Sequence, residues 1–184
     1  MSTGRSRFNL NLILTLALAA AVGCATKPQK KTEKPQKMMA SLRVHVQADP
    51  EPIKDFTVEA PVYRAAPSKV TVEKEAFLTE ANLSEAKVVD ELGGFKIQLQ
   101  FDRQGTWILE EYTTTHQGRR FVFFSAWEGR DTKKDSRWLG APVITKRISN
   151  GLVSFTPDAS REELEDIVLG LNNAAKKHEE DSKW

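Results

Sequence analysis

The chain has 184 residues, with 27 lysines and arginines against 25 aspartates and glutamates and a formal net charge of +2 at pH 7. That near balance excludes a nucleic-acid binder that relies on a strongly basic face. With 40% hydrophobic and 28% charged residues, the sequence can bury a core. It is neither a wholly disordered chain nor a multi-spanning membrane protein.

Arg5 and Arg7 precede an apolar stretch from Phe8 to Val22, and Gly23 and Cys24 close it. This is the three-part layout of a secretory signal. The apolar run is shorter than the roughly 20 residues that a spanning helix needs, which points to a cleaved signal rather than an anchor. Ala21, Val22, Gly23 and Cys24 resemble the lipobox of bacterial lipoproteins. The resemblance implies cleavage before Cys24 and transfer of diacylglycerol to its thiol, with palmitate-type acyl chains holding the mature protein to a membrane. One acyl chain alone holds weakly, and two or three hold durably. Cys24 is the only cysteine, so no internal disulfide or multi-cysteine metal site is expected. Ala25, which is not an aspartate, points to the outer rather than the inner membrane under the sorting rule of well-studied bacterial lipoproteins.

Cleavage there removes two arginines and no acid, leaving basic and acidic residues equal in number. Lys27, Lys30, Lys31, Lys34 and Lys37 then crowd beside the membrane, with Glu33 as the only acid among them. With Pro28 and Pro35 they form a solvated, extended linker. The lysines serve either to attract anionic head groups or simply to keep a spacer in solution.

Strand patterning begins at Leu42, Val44 and Val46, continues through Phe56, Val58 and Ala60, and returns at Val70 and Val72. Ala86 to Val89 and Phe95 to Phe101 flank Gly93 and Gly94, which predicts a hairpin. Trp107, Ile108, Glu111 and Tyr112 stand at helical spacing between Gly105 and Gly118, predicting a helix of about three turns. Phe121 to Ala126 is expected as a buried strand, Glu128 to Arg137 as a charged loop, and Ala141 to Ile148 as a strand. Asn150 and Gly151 then turn the chain into Leu152 to Phe155, a second hairpin. Ser160 and Glu163 have capping-box spacing, and Leu164, Ile167, Val168 and Leu171 form one apolar stripe of a helix from Arg161 to about Lys177.

The fold class expected is α+β: a ββαββα sandwich of mostly antiparallel sheet with a helical layer, preceded by additional N-terminal strands. The chain divides into a signal peptide (1–23), a basic flexible tether (24–40), an N-terminal strand region (41–76), an α+β domain (77–177) and a polar tail (178–184).

Three segments carry a family resemblance. FLTEANLSEAKVV, from Phe77, resembles the approach to the first hairpin in the head of the first periplasmic domain of SecD and its fused form SecDF. IQLQFDRQGTWILEEYTTTHQGRRFVFFSA, from Ile97, resembles that family's strand, acid, helix, glycine turn and hydrophobic strand. LGAPVITKRISNGLVSFTPDASREELEDIVLGLN, from Leu139, resembles its Ala-Pro strand, glycine turn and closing helix. The resemblance runs from Phe77 to Asn173. It implies an α+β head and an accessory role in protein export, with translocon components or exported polypeptides as partners. SecD proteins carry several spanning helices and this sequence shows none, so it is not expected to be a proton-driven motor. Where the family has an Asp-Gly turn before its Ala-Pro strand, this chain has Ser125, Ala126 and a charged insertion.

No catalytic or metal centre is visible. His45, His116 and His178 share no ligand spacing, there is no GxSxG sequence, and no GK[ST] follows Gly93-Gly94. Neighbouring carboxylates such as Glu110-Glu111 point different ways on a helix. No cofactor is expected. Trp127 and Trp138 border the charged stretch with Arg130, Lys133, Lys134 and Arg137. Trp127, Arg137 and Trp138 are the candidate partner-binding residues, suited to gripping a peptide or glycan; the alternative is aromatics capping a sheet edge beside a solvated loop. Three functions remain open: a non-catalytic lipoprotein that binds an exported polypeptide or envelope protein, a scaffold module of an envelope assembly, and an enzyme acting on an envelope polymer.

Overall fold

The computed structural model describes residues 38–49, 54–130 and 132–181. The expected signal peptide, its lipidated Cys24 and the lysine-rich tether through residue 37 lie outside them.

The alternation Leu42, Val44, Val46 does build a strand, β1 (Ala40–Val46), and it runs through the middle of the domain. The hairpin β2 (Thr57–Val62) and β3 (Ser68–Glu73) follows, then the short β4 (Leu78–Thr79). Next come β5 (Leu83–Glu91), β6 (Gly94–Phe101) and the helix α1 (Arg103–Thr115). β7 (Phe121–Glu128), β8 (Lys134–Gly140), β9 (Leu152–Phe155) and α2 (Arg161–Asp181) complete the order. Three antiparallel sheets result, ordered β4-β1-β7-β8, β2-β3 and β5-β6-β9. The α+β class, with strands ahead of the head-like region, is the one expected.

The largest core unites the four-stranded and three-stranded sheets with α2. Leu42, Phe123, Ile97 and Leu99 meet Leu164, Ile167 and Leu171, all fully buried. Each such side chain contributes about 1.5–3 kcal/mol. Gly170 lets α2 touch β1, because a Cβ there would stand 2.7 Å from both the backbone nitrogen and the Cβ of Ala40. The other face of the four-stranded sheet carries a smaller cluster, in which Ala60, Val62, Val70 and Val72 of the β2-β3 hairpin cover Val122 and Ala141, with Trp138 at the margin.

Four expectations are corrected. The turn between β5 and β6 is Leu92-Gly93, with Gly93 at φ 87° and Gly94 already the first residue of β6. The second half of the charged stretch is strand: β8 begins at Lys134 and pairs with β7 from Glu128↔Lys134 to Phe123↔Gly140. Residues 141–148 form only one bridge, Val143 to Arg120. Pro142 has no N–H to give a ladder, and its carbonyl, like both polar groups of Ile144, bonds the chain just after α1. β9 therefore pairs with β6 and makes no hairpin with the segment before it. Phe56, expected on a strand face, ends a 3-10 turn and is 68% exposed.

Both helices start on side-chain caps. Asp102 accepts the Gly105 N–H at 2.7 Å, which places Gly105 inside α1. At α2 the capping box is complete: Ser160 Oγ accepts the Glu163 N–H at 3.2 Å and Glu163 Oε2 accepts the Ser160 N–H at 2.7 Å. No described helix is long and apolar enough to cross a membrane.

Candidate functional site

The candidate residues come from one hairpin, and its register decides what they do. Trp127 lies opposite Asp135 and Trp138 opposite Phe124. Side chains alternate along a strand, so the two indoles project from opposite faces of the sheet. They cannot close on one ligand together.

Trp127 turns toward α2 and is 5% exposed. Arg137 lies against it, its guanidinium carbon 5.4 Å from the indole centroid, within cation-π range. The same guanidinium makes a two-pronged bond to Glu163, 3.0 Å on each prong, and donates to Asp135 at 3.2 Å and to the Asp158 carbonyl at 3.3 Å. Glu163 is thus both the cap of α2 and the partner of Arg137. Hydrogen bonds from Arg137 chiefly, then from the Ser160 N–H, lower its pKa to about 2 against the opposing effect of burial. Arg64, from the loop of the β2-β3 hairpin, reaches the same acids: its backbone N–H and Nε bond Asp158 at 2.7 and 3.1 Å, and its guanidinium lies 3.7 Å from Glu163.

Beside this lattice, Arg130 Nε approaches Asp166 Oδ1 to 2.7 Å while the Arg130 N–H donates to Oδ2 at 3.2 Å. Of the basic residues in this pattern, Arg137 is turned inward and paired with Glu163 of α2 and Asp135 of β8, whereas Arg130, paired with Glu165 and Asp166 of α2, stays exposed, as do Lys133 and Lys134.

Trp138 occupies the other face. It meets His45 edge-on at 5.3 Å and Phe124 at 5.1 Å between ring centres. His45, buried on β1, makes a 2.8 Å bond through Nδ1 to the Glu73 carbonyl, which places the proton on Nδ1. Desolvation outweighs that bond and, with the charge of Arg43, holds the imidazole pKa below its usual value.

Two open grooves share Trp127 and Asp135. One, about 430 Å³, runs past Arg130, Ser160 and Glu163; the other, about 510 Å³, runs past Met39, Glu80 and His178. A third groove, about 540 Å³, lies between β9 and residues 142–150. The sequence gives no sign of this last one because it treats those two segments as partners. Among the described residues no cluster of three or more histidine, cysteine or acidic side chains could hold a metal ion.

The SecDF P1 head subdomain model matches residues 57–175, more than half of the chain. The chain belongs to the SecDF P1 head subdomain family. The match takes in β2 and β3, which precede the stretch whose sequence suggested the resemblance. A solved structure of SecDF, described as a membrane component that enhances protein export, is similar in fold at TM-score 0.51 and 20% identity, over 74% of this chain. The chain spans 63% of the length of that one. SecDF in the super-membrane-facing form is matched at TM-score 0.44 and 16% identity, over 77% of this chain and 30% of the other. SecDF from Thermus thermophilus, a translocon-associated membrane protein, is matched at 0.38 and 15%, over 74% and 29%. No curated protein matches the chain in sequence.

Proposed function

We propose that this SecDF P1 head-like domain works as a non-catalytic, lipid-anchored binding module of the bacterial envelope, accessory to protein export. The observation that carries the reading is the family match over residues 57–175. The similar fold of a SecDF that enhances protein export supports it. In this reading Cys24 carries the acyl chains, the tether of residues 24–40 links them to the domain, and the domain faces the periplasm from the outer membrane. Trp127 contributes to partner contact from the grooves it lines, Arg137 from its place against the indole, and Trp138 from the opposite face.

The test is export kinetics in the producing bacterium. Pulse-chase labelling of a signal-bearing envelope protein should show slower maturation when this gene is deleted, with rescue by the wild type and weaker rescue by Cys24→Ala. Unchanged maturation in the deletion strain, with no crosslink to an exporting chain, would sink the export reading and leave the scaffold role.

A further inference from the structure

The three-stranded sheet has two outer strands, and the molecule treats them differently. On β5, the Asn172 side chain of α2 accepts the Ala86 N–H at 2.8 Å and donates to the Ala86 carbonyl at 3.0 Å. Those bonds cap β5 at Ala86, and further along the same edge Asp90, paired with Arg161, and Glu91 put charge on the strand. On β8, the outer strand of the neighbouring sheet, Asp135 Oδ1 takes the Ser136 N–H at 2.8 Å, and Lys134 and Asp135 put charge on the strand, a usual guard against pairing.

β9 carries no charged side chain, and among the described residues the one side-chain bond to its outer edge is a local one, at Leu152. Phe101 N–H donates to the Gly151 carbonyl at 2.9 Å, and Leu99 faces Val153 while Ile97 faces Phe155. Antiparallel pairs alternate, so Gly151, Val153 and Phe155 turn their peptide groups to β6, and Leu152 and Ser154 turn theirs outward. The Leu152 N–H is taken by Asn150 Oδ1 at 3.1 Å. The N–H and carbonyl of exposed Ser154 have no partner among the described residues. Residues 142–150 stand off from this edge and leave the groove of about 540 Å³. It is bordered by apolar Phe121, Ile144, Ile148 and Val153 and by cationic Lys146 and Arg147. Arg147 is paired with Glu110, whereas Lys146 makes no ion pair among the described residues.

We propose that the outer edge of β9 is a strand-addition site for an extended segment of another polypeptide in which apolar and acidic side chains alternate. An unpaired N–H and carbonyl in strand geometry recognise a peptide backbone, and pockets beside alternate positions select side chains. The apolar border takes one set of those side chains and Lys146 the acidic set. At about 3.3 Å per residue, the four residues of β9 pair with a segment of similar length. The proposal rests on the polypeptide-binding reading above and assigns that binding to a place.

The test uses the full chain and a dye-labelled heptapeptide of alternating valine and glutamate, followed by fluorescence anisotropy, with reduced and carboxymethylated lactalbumin as an unfolded acidic chain. The heptapeptide should bind saturably. N-methylation at every second residue should cut affinity about tenfold in one phase and leave it unchanged in the other. Ser154→Pro, which removes an outward N–H from an edge strand, should cost at least as much, and Lys146→Glu should weaken binding severalfold and favour a lysine-bearing heptapeptide. Should Ser154→Pro melt early, the N-methyl pair and Lys146→Glu decide. Equal loss in both N-methyl phases, or none, overturns the proposal. Lactalbumin binding that survives both variants overturns the site and leaves polypeptide binding standing, and no binding of either probe by the wild type overturns both. A wild-type dimer that Ser154→Pro converts to monomer, without peptide binding, would instead make this edge an interface between copies.

Discussion

The two faces of the four-stranded sheet each hold one tryptophan from the same hairpin, and they hold it by different means. On the α2 side, Trp127 joins the large core and is overlaid by Arg137, whose charge is shared among Glu163, Asp135 and the Asp158 carbonyl. On the hairpin side, Trp138 borders a small cluster of valines and alanines and leans on a neutral histidine. A charged lattice needs every member in place, because removing one partner strands the others. An apolar cluster loses stability in proportion to the surface removed.

The sharpest break in this contrast is a pair of truncations. Trp127→Ala should cost about 3–5 kcal/mol by urea unfolding, since it opens a cavity beneath Arg137 as well as removing buried surface. Trp138→Ala should cost clearly less, and equal losses would mean that the two faces are equivalent. Next is Glu163→Gln, which should cost about 1.5–3 kcal/mol at pH 7 by removing charge-assisted bonds. Because the folded-state pKa of Glu163 is about 2, below its ordinary 4.5, its contribution is full above about pH 4.5 and is lost as pH falls through about 2. The variant's stability should therefore vary less than the wild type's across that window.

The smallest effect belongs to His45. Its folded-state pKa is lowered, so the neutral form is the one that fits, and the stability it supports is present above its unfolded pKa of about 6.5 and declines as pH falls through the folded value. His45→Asn keeps a donor for the Glu73 carbonyl without a titrating ring. It should flatten the decline below about pH 6.5, and an unchanged profile would clear His45 of responsibility. Together the two pH profiles separate the faces: the hairpin side weakens first on acidification, the α2 side only in strong acid.

Much of this was written in local pattern. Leu42, Val44 and Val46 alternate because one side of β1 meets the large core, and Ser160 with Glu163 marks the start of α2 because both orphan donors there need acceptors. β8 was hidden because Lys134, Asp135, Ser136 and Arg137 show no apolar alternation; that strand is held by its ladder to β7 and by ion pairs across space. Residues 141–148 mislead in the opposite sense. Ala141, Val143, Ile144 and Ile148 have strand-like apolarity, yet Pro142 and the bonds to Arg119, Gly118 and Phe121 take them off the sheet. The opposite placement of the two tryptophans depends on hairpin register, including the irregularity between Phe123 and Phe124, which spacing alone does not reveal. The groove beside β9 follows from the same displaced segment.

The Asn172 amide on Ala86 has a further consequence. A carboxamide offers the same donor and acceptor as one peptide group, but nothing continues beyond it, so at Ala86 it ends the ladder as a monofunctional reagent ends a polymer chain. With β5 capped at Ala86 and charged at Asp90 and Glu91, the two sides of the three-stranded sheet are unequal. A strand joining the sheet therefore meets a ready acceptor at β9 and, on the far side, a ladder already ended at Ala86.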